Sequence, residues 1–175
     1  MNKSELKDIA ESLIDTFEFA GEESIKLYKK GLKIKIKKDN SPVSNGDLKV
    51  NSLITNKILE LTPNIPIISE ETVNMDIKNK SNIFWLIDPI DGTREYIAGK
   101  EEYTLNAALV IDKIPVLGLV GAPKKNRLFY SFNPGESYLI ENNTKRKIDC
   151  TKKQPKNKIV ALSSTSNPSE KILDI

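Results

Sequence analysis

Residues 85–93 read Trp85-Leu86-Ile87-Asp88-Pro89-Ile90-Asp91-Gly92-Thr93. Ile83 to Ile87 is an unbroken apolar run with a β-branched and aromatic bias, the pattern of a strand covered on both faces. The strand is expected to end in a small acidic turn. Asp88 and Asp91 stand three positions apart, Pro89 fixes its own φ between them, and Gly92 lets the backbone come close to a ligand. Thr93 falls where a short helix can begin, and a helix start is a natural phosphate seat. Hard oxygen ligands beside such a seat describe a site for magnesium-dependent phosphate chemistry. Asp-Pro and Asp-Gly are ordinary turn dipeptides. The full run Asp-Pro-x-Asp-Gly-Thr behind a buried strand is far more specific.

The rest of the chain narrows the chemistry. Its 175 residues carry a net charge of +3, one cysteine and no histidine. That length can bury a real core and suggests one domain. The absence of histidine excludes a Ser-His or Cys-His nucleophile pair and a histidine-ligated zinc site. Hydrolysis would have to rest on carboxylates, hydroxyls and a metal. The lone Cys150 rules out an internal disulfide framework and fits a reducing compartment. No apolar stretch is long enough to span a bilayer, and the N-terminus leads into an amphipathic pattern and not a signal peptide. The cytoplasm is the expected location, with no membrane partner.

Upstream of residues 85–93, Ser4 to Lys30 reads as one long helix, with Leu6, Ile9, Leu13, Phe17, Ala20 and Ser24 at three- and four-residue steps. Lys29, Lys30 and Gly31 close it. Leu32 to Lys38 alternates as a half-buried strand. Its lysines read as the wet face of an edge strand, with a phosphate-facing stripe as the alternative. Asp39-Asn40-Ser41-Pro42 is a turn. Ser44 to Leu61 follows as a second helix, burying Leu48, Leu53, Ile54, Ile58 and Leu61. Asp47 lies in its first turn, where a carboxylate favours the helix dipole by a few tenths to about one kcal/mol. Ile65 to Ile68 is a short strand ending at Ser69-Glu70-Glu71, and Asn74 to Asn82 is a polar loop.

Downstream, Glu95 to Gly99 reads as a short helix with a glycine stop. Thr104–Ile111 and Pro115–Gly121 are strands joined at Asp112-Lys113, and Arg127–Phe132 and Ser137–Glu141 form another hairpin. The expected sheet is therefore largely antiparallel and not doubly wound. Lys145-Arg146-Lys147 and Lys152 to Lys158 read as a basic, solvated connector. Lys158 to Leu162 is one more strand, and the helix begun at Pro168 reaches only Ile175, which suggests a continuation.

Asp88-Pro89-Ile90-Asp91-Gly92-Thr93 resembles the signature of the inositol monophosphatase superfamily of lithium-sensitive, magnesium-dependent phosphatases. Three further stretches match in order: Ser41-Pro42-Val43 through Asp47, Ile65 through Glu71, and Glu102-Tyr103-Thr104-Leu105-Asn106-Ala107-Ala108-Leu109. The last of these, with Arg94-Glu95-Tyr96, is more similar to the 3'(2'),5'-bisphosphate nucleotidase branch than to the inositol branch. Tyr96 and Tyr103 stand where phenylalanine is common, and Gly46 where alanine is usual.

The resemblance implies an α+β, layered sugar-phosphatase-like fold with a largely antiparallel sheet and flanking helices. Residues 1–157 would form the metal- and phosphate-binding domain, and 158–175 would begin a C-terminal α/β portion that is cut short. It further implies that Glu70, Asp88 and the Ile90 carbonyl hold one magnesium ion, with Asp88 bridging to a second ion also bound by Asp91. Thr93, paired with Asp47, would orient the attacking water. Asp91, Gly92 and Thr93 would meet the substrate phosphate, and Glu71 would support the water shell.

The expected substrate is a small phosphorylated molecule, adenosine 3'(2'),5'-bisphosphate first and an inositol or sugar phosphate second. A chain lacking part of the fold would turn over weakly, or serve as a metal-binding module. It would also expose apolar surface suited to a homodimer or other association. Nucleic-acid binding would rest on the lysine runs alone and is not expected.

Overall fold

The computed structural model describes residues 1–72 and 81–149. The reading of 158–175, Cys150 and nearly all of the 74–82 loop lie outside the described residues.

The N-terminal helix is two helices, α1 (Lys3–Ser12) and α2 (Ile14–Lys30). The break falls at Leu13, where the Ser12 hydroxyl donates to the Asp8 carbonyl at 2.7 Å. Such back-bonding bends helices. The stripe of Leu6, Ala10, Leu13, Phe17 and Ala20 is buried across the break, as its period predicts.

Strands β1 (Ile34–Ile36) and β2 (Pro42–Ser44) form a separate two-stranded antiparallel ribbon. The alternation in β1 does not produce a half-buried strand: Ile34 and Ile36 are 48% and 65% exposed. Helix α3 (Asn45–Leu61) starts one residue late because Ser44 is its cap. It buries Val50, Asn51, Ile54 and Ile58, while Leu48 points outward at 48% exposure. The inward face is therefore rotated from the expected one.

The main sheet has seven strands in sequential order: β3 (Ile67–Ser69), β4 (Ile83–Asp91), β5 (Thr104–Ile111), β6 (Ile114–Ala122), β7 (Arg127–Ser131), β8 (Ser137–Glu141) and β9 (Thr144–Lys147). Among the described residues only β3 and β4 pair in parallel; the rest is the expected antiparallel meander. Helix α4 (Thr93–Ile97) follows β4 directly. Asp112-Lys113 and Asn142-Asn143 turn with positive φ at both residues, the backbone of a tight hairpin. The second of these turns makes Lys145-Arg146-Lys147 an edge strand and not part of a connector.

One face of the sheet carries the core. Trp85, Ile87, Leu105, Ala107, Leu109, Leu117, Leu119, Leu128 and Tyr130 pack there with the stripes of α1, α2 and α3. Trp85 is fully buried, and its indole N–H donates to the Thr62 hydroxyl at 3.0 Å, which removes the cost of burying that donor. The expectation of cover on both faces of β4 is not met: Leu86 is 49% exposed, as are Val120 and Phe129 by 41% and 36% on the same sheet face. An apolar run long enough for two-sided burial is here buried on one side.

Candidate active site

Strand β4 does not stop at Ile87. It continues through Pro89 to Asp91, and its pairing with β5 slips between Asp88 and Asp91. Asp88 lies opposite Asn106 and Asp91 opposite Thr104. Three steps on β4 therefore match two on β5, which is a β-bulge. The consequence is geometric. Residues three apart on a regular strand face opposite sides, but Asn106 and Thr104 share a side, so Asp88 and Asp91 do too. Pro89 suits such a place, because a proline inside a sheet is confined to edges and bulges.

Glu70 follows the end of β3. Ser69 lies beside Ile87, and the Glu70 amide donates to the Ile87 carbonyl at 3.1 Å. The next step along the strand brings Glu70 beside Asp88, close enough for its charge to act on the Asp88 carboxyl. The Asp88 carboxyl is pushed up to about 7, first by burial and then by the charges of Glu70 and Asp91. Among the described residues, its Oδ1 is buried without a hydrogen-bond partner. A buried orphan oxygen among carboxylates is the environment a cation would relieve. Among the described residues, no group of three or more acidic side chains is placed, as it stands, to hold a metal ion.

Asp47 is 1% exposed and uses both oxygens. Oδ2 accepts from the Ser44 amide at 2.7 Å and the Ser44 hydroxyl at 2.6 Å, a reciprocal cap on α3. Oδ1 accepts from the Thr93 hydroxyl at 3.1 Å. Asp47 thus serves the helix start and meets Thr93 as well. Thr93 Oγ1 also lies 3.1 Å from the Ile90 carbonyl. One hydroxyl hydrogen serves both acceptors.

Gly92 has φ +91°, and a β-carbon there would lie 2.9 Å from the Glu102 carbonyl oxygen. The bareness of Gly92 accommodates the chain's own backbone. Helix α4 begins at Thr93, two residues before the expected start, with no side chain capping its first turn.

Lys37, expected on the wet face of an edge strand, instead lies at the site. Its Nζ is 2.7 Å from Glu71 and 3.0 Å from Glu70. The Glu71 side chain is 6% exposed, and burial raises its carboxyl despite Lys37. Ser69 and Asn51 also escaped the sequence reading. The Ser69 hydroxyl donates to Asn51 at 2.6 Å, tying the end of β3 to α3.

Residues 4–173 match the inositol monophosphatase family. The 3'(2'),5'-bisphosphate nucleotidase CysQ of Aggregatibacter actinomycetemcomitans is 33% identical over 132 residues, covering 74% of this chain and 49% of that protein. The structure of CysQ from Bacteroides thetaiotaomicron, a bacterial member of the same family, aligns with TM-score 0.63 at 32% identity over 76% of this chain and 49% of that one. Staphylococcal inositol monophosphatase-1, soaked in lithium chloride, aligns with TM-score 0.69 at 22% identity over 77% and 51%, a likeness of fold. The chain spans about half the length of the curated relatives it matches. A family match over nearly the whole chain, together with the shared fold, gives the conclusion: the chain belongs to the inositol monophosphatase family.

Proposed function

We propose that this chain carries the metal- and phosphate-binding half of a magnesium-dependent phosphomonoesterase that hydrolyses adenosine 3'(2'),5'-bisphosphate to AMP and phosphate. The observation that carries the reading is the bulge that turns Asp88 and Asp91 to one face, with Asp88 Oδ1 unpartnered among the described residues and Glu70 close by. Glu70, Asp88, the Ile90 carbonyl and Asp91 are all hard oxygen donors, the set magnesium prefers. Magnesium held there supplies Lewis acidity toward the phosphate and the departing oxygen.

The remaining work falls to side chains. With its hydrogen shared between Asp47 and the Ile90 carbonyl, the Thr93 hydroxyl keeps lone pairs free to accept a hydrogen from a water. The pair thus aims that water in line with the phosphorus–oxygen bond that breaks. Main-chain amides at Gly92 and Thr93 donate to phosphate oxygens at the start of α4. No covalent intermediate on the protein is needed, in keeping with a chain without histidine. The CysQ name of the relatives favours a nucleotide bisphosphate over inositol phosphate. A cytoplasmic location belongs to the same reading; among the described residues no helix is long and apolar enough to cross a membrane.

Magnesium-dependent release of phosphate from adenosine 3',5'-bisphosphate tests this, with inositol 1-phosphate as comparison. Asp88→Asn is expected to abolish release while circular dichroism stays unchanged. Full activity in that variant would reject the site. A second reading, magnesium binding with little turnover, is favoured by the chain's covering half of its relatives' length. Calorimetric binding without phosphate release would select it.

A further inference from the structure

We infer that Tyr96 is a positioning residue for the Asp47–Thr93 pair, held in place by the missing β-carbon of Gly46. The inference rests on the reading of that pair as the group that orients water.

Tyr96 lies on α4 three residues after Thr93, and Gly46 on α3 immediately before Asp47. Tyr96 is 1% exposed. Its ring sits 4.9 Å from that of Tyr103 and 6.1 Å from that of Tyr28, tilted to both. Its hydroxyl donates to the Ser24 carbonyl of α2 at 2.7 Å. The Ser24 hydroxyl in turn bonds the Tyr103 hydroxyl at 2.9 Å. One phenol therefore joins three helices at the point where two of them present Asp47 and Thr93.

Gly46 is the counterpart. Its backbone is helical, so no unusual φ calls for glycine, and glycine is disfavoured against alanine inside a helix. Space is the reason. A β-carbon at Gly46 would stand 2.6 Å from Tyr96 Cε1 and 2.8 Å from Cζ, and closer still to the hydroxyl oxygen. The ring has little room to retreat, because its hydroxyl is tied to Ser24 and two other tyrosine rings pack beside it. A methyl group at position 46 must push α3 and α4 apart, and the 3.1 Å link from Thr93 to Asp47 is what spans them. Burial holds the phenol well above the ordinary tyrosine range, so its hydroxyl stays a donor across the working pH range.

The test is a cycle of four chains: parent, Gly46→Ala, Tyr96→Phe and the double variant. Phenylalanine loses the tie to Ser24 and can slide off the added methyl. Gly46→Ala is expected to lower the melting temperature by roughly 5–10 °C and to shift the amide resonances of Asp47 and Thr93. It should lower kcat for phosphate release by roughly tenfold or more, with KM little changed. The double variant should regain most of each loss. If Gly46→Ala alone fails to fold, a folded double variant supports the inference and an unfolded one overturns it. Parental resonances in Gly46→Ala, or a double loss equal to the sum of the single losses, also overturn it. Absence of phosphate release from the parent counts against the reaction proposed above; the resonances still decide the role of Tyr96.

Discussion

The ammonium of Lys37 stands 3.0 Å from Glu70 Oε1, on the carboxylate proposed to receive a magnesium ion. A cation already sits on one of the metal's donors, so the two positive charges compete. The Glu70 side chain is 47% exposed, and exposed pairs contribute at most about 1 kcal/mol. Lys37→Gln is therefore expected to tighten magnesium binding by roughly fivefold or less, measured by calorimetry. Weaker or unchanged binding would mean that Lys37 helps, or ignores, the metal.

Asp88 gives a pH dependence of definite sign. Its carboxyl is pushed up to about 7, well above its ordinary value of 3.8. Between those values the folded chain holds a proton that the unfolded chain has lost, so this group's effect on stability worsens as pH rises and levels off above about 7. Asp88→Asn removes the effect. The variant is expected to gain melting temperature over the parent at pH 8 and to differ little at pH 4. Magnesium should reverse the order at pH 8, because only the carboxylate binds it. A constant difference between parent and variant across pH would show that burial of Asp88 does not govern its titration.

The sheet order and the helices were legible in the sequence because period and turn chemistry are local. Leu6 to Ala20 announced a stripe, and Asp112-Lys113 a hairpin. From the residues alone the site was legible only as a list of acids; the pairing of Thr93 with Asp47 came from the resemblance. Which face each acid takes depends on the slip between Asp88 and Asp91, and that slip is defined by β5. Pro89 was its one local sign, but a proline after an aspartate reads equally well as a turn. Lys37 was left undecided for a similar reason, since alternation over Leu32 to Lys38 cannot say what lies across from it. Gly46 and Tyr96, fifty positions apart, looked like two unrelated departures from the family pattern and are in contact.

The two oxygens of Asp47 can be separated by substitution. Ser44→Ala removes the hydroxyl on Oδ2 and should cost about 1 kcal/mol of stability, the usual value for a lost cap. Phosphate release should change little, because Thr93 still reaches Oδ1. Thr93→Val removes the other partner at a similar stability cost of about 1 kcal/mol, yet should lower kcat by at least roughly 100-fold. Equal losses of rate in the two variants would make Asp47 a helix cap and nothing more.

Gly92→Ala strikes the joint between β4 and α4. An L-residue held at φ +91° and ψ 39° carries roughly 1–2 kcal/mol of strain. The added methyl also meets the Glu102 carbonyl oxygen at 2.9 Å, a backbone atom that cannot rotate away. The expected loss exceeds about 2 kcal/mol, a fall in melting temperature of roughly 4–8 °C for a chain of this size. Gly92→Asn distinguishes the two causes, since asparagine tolerates the left-handed region but brings the same β-carbon. Asparagine is expected to recover only part of the loss. Parental stability in Gly92→Asn would show that the backbone angle, and not the approach of Glu102, is what glycine serves at this position.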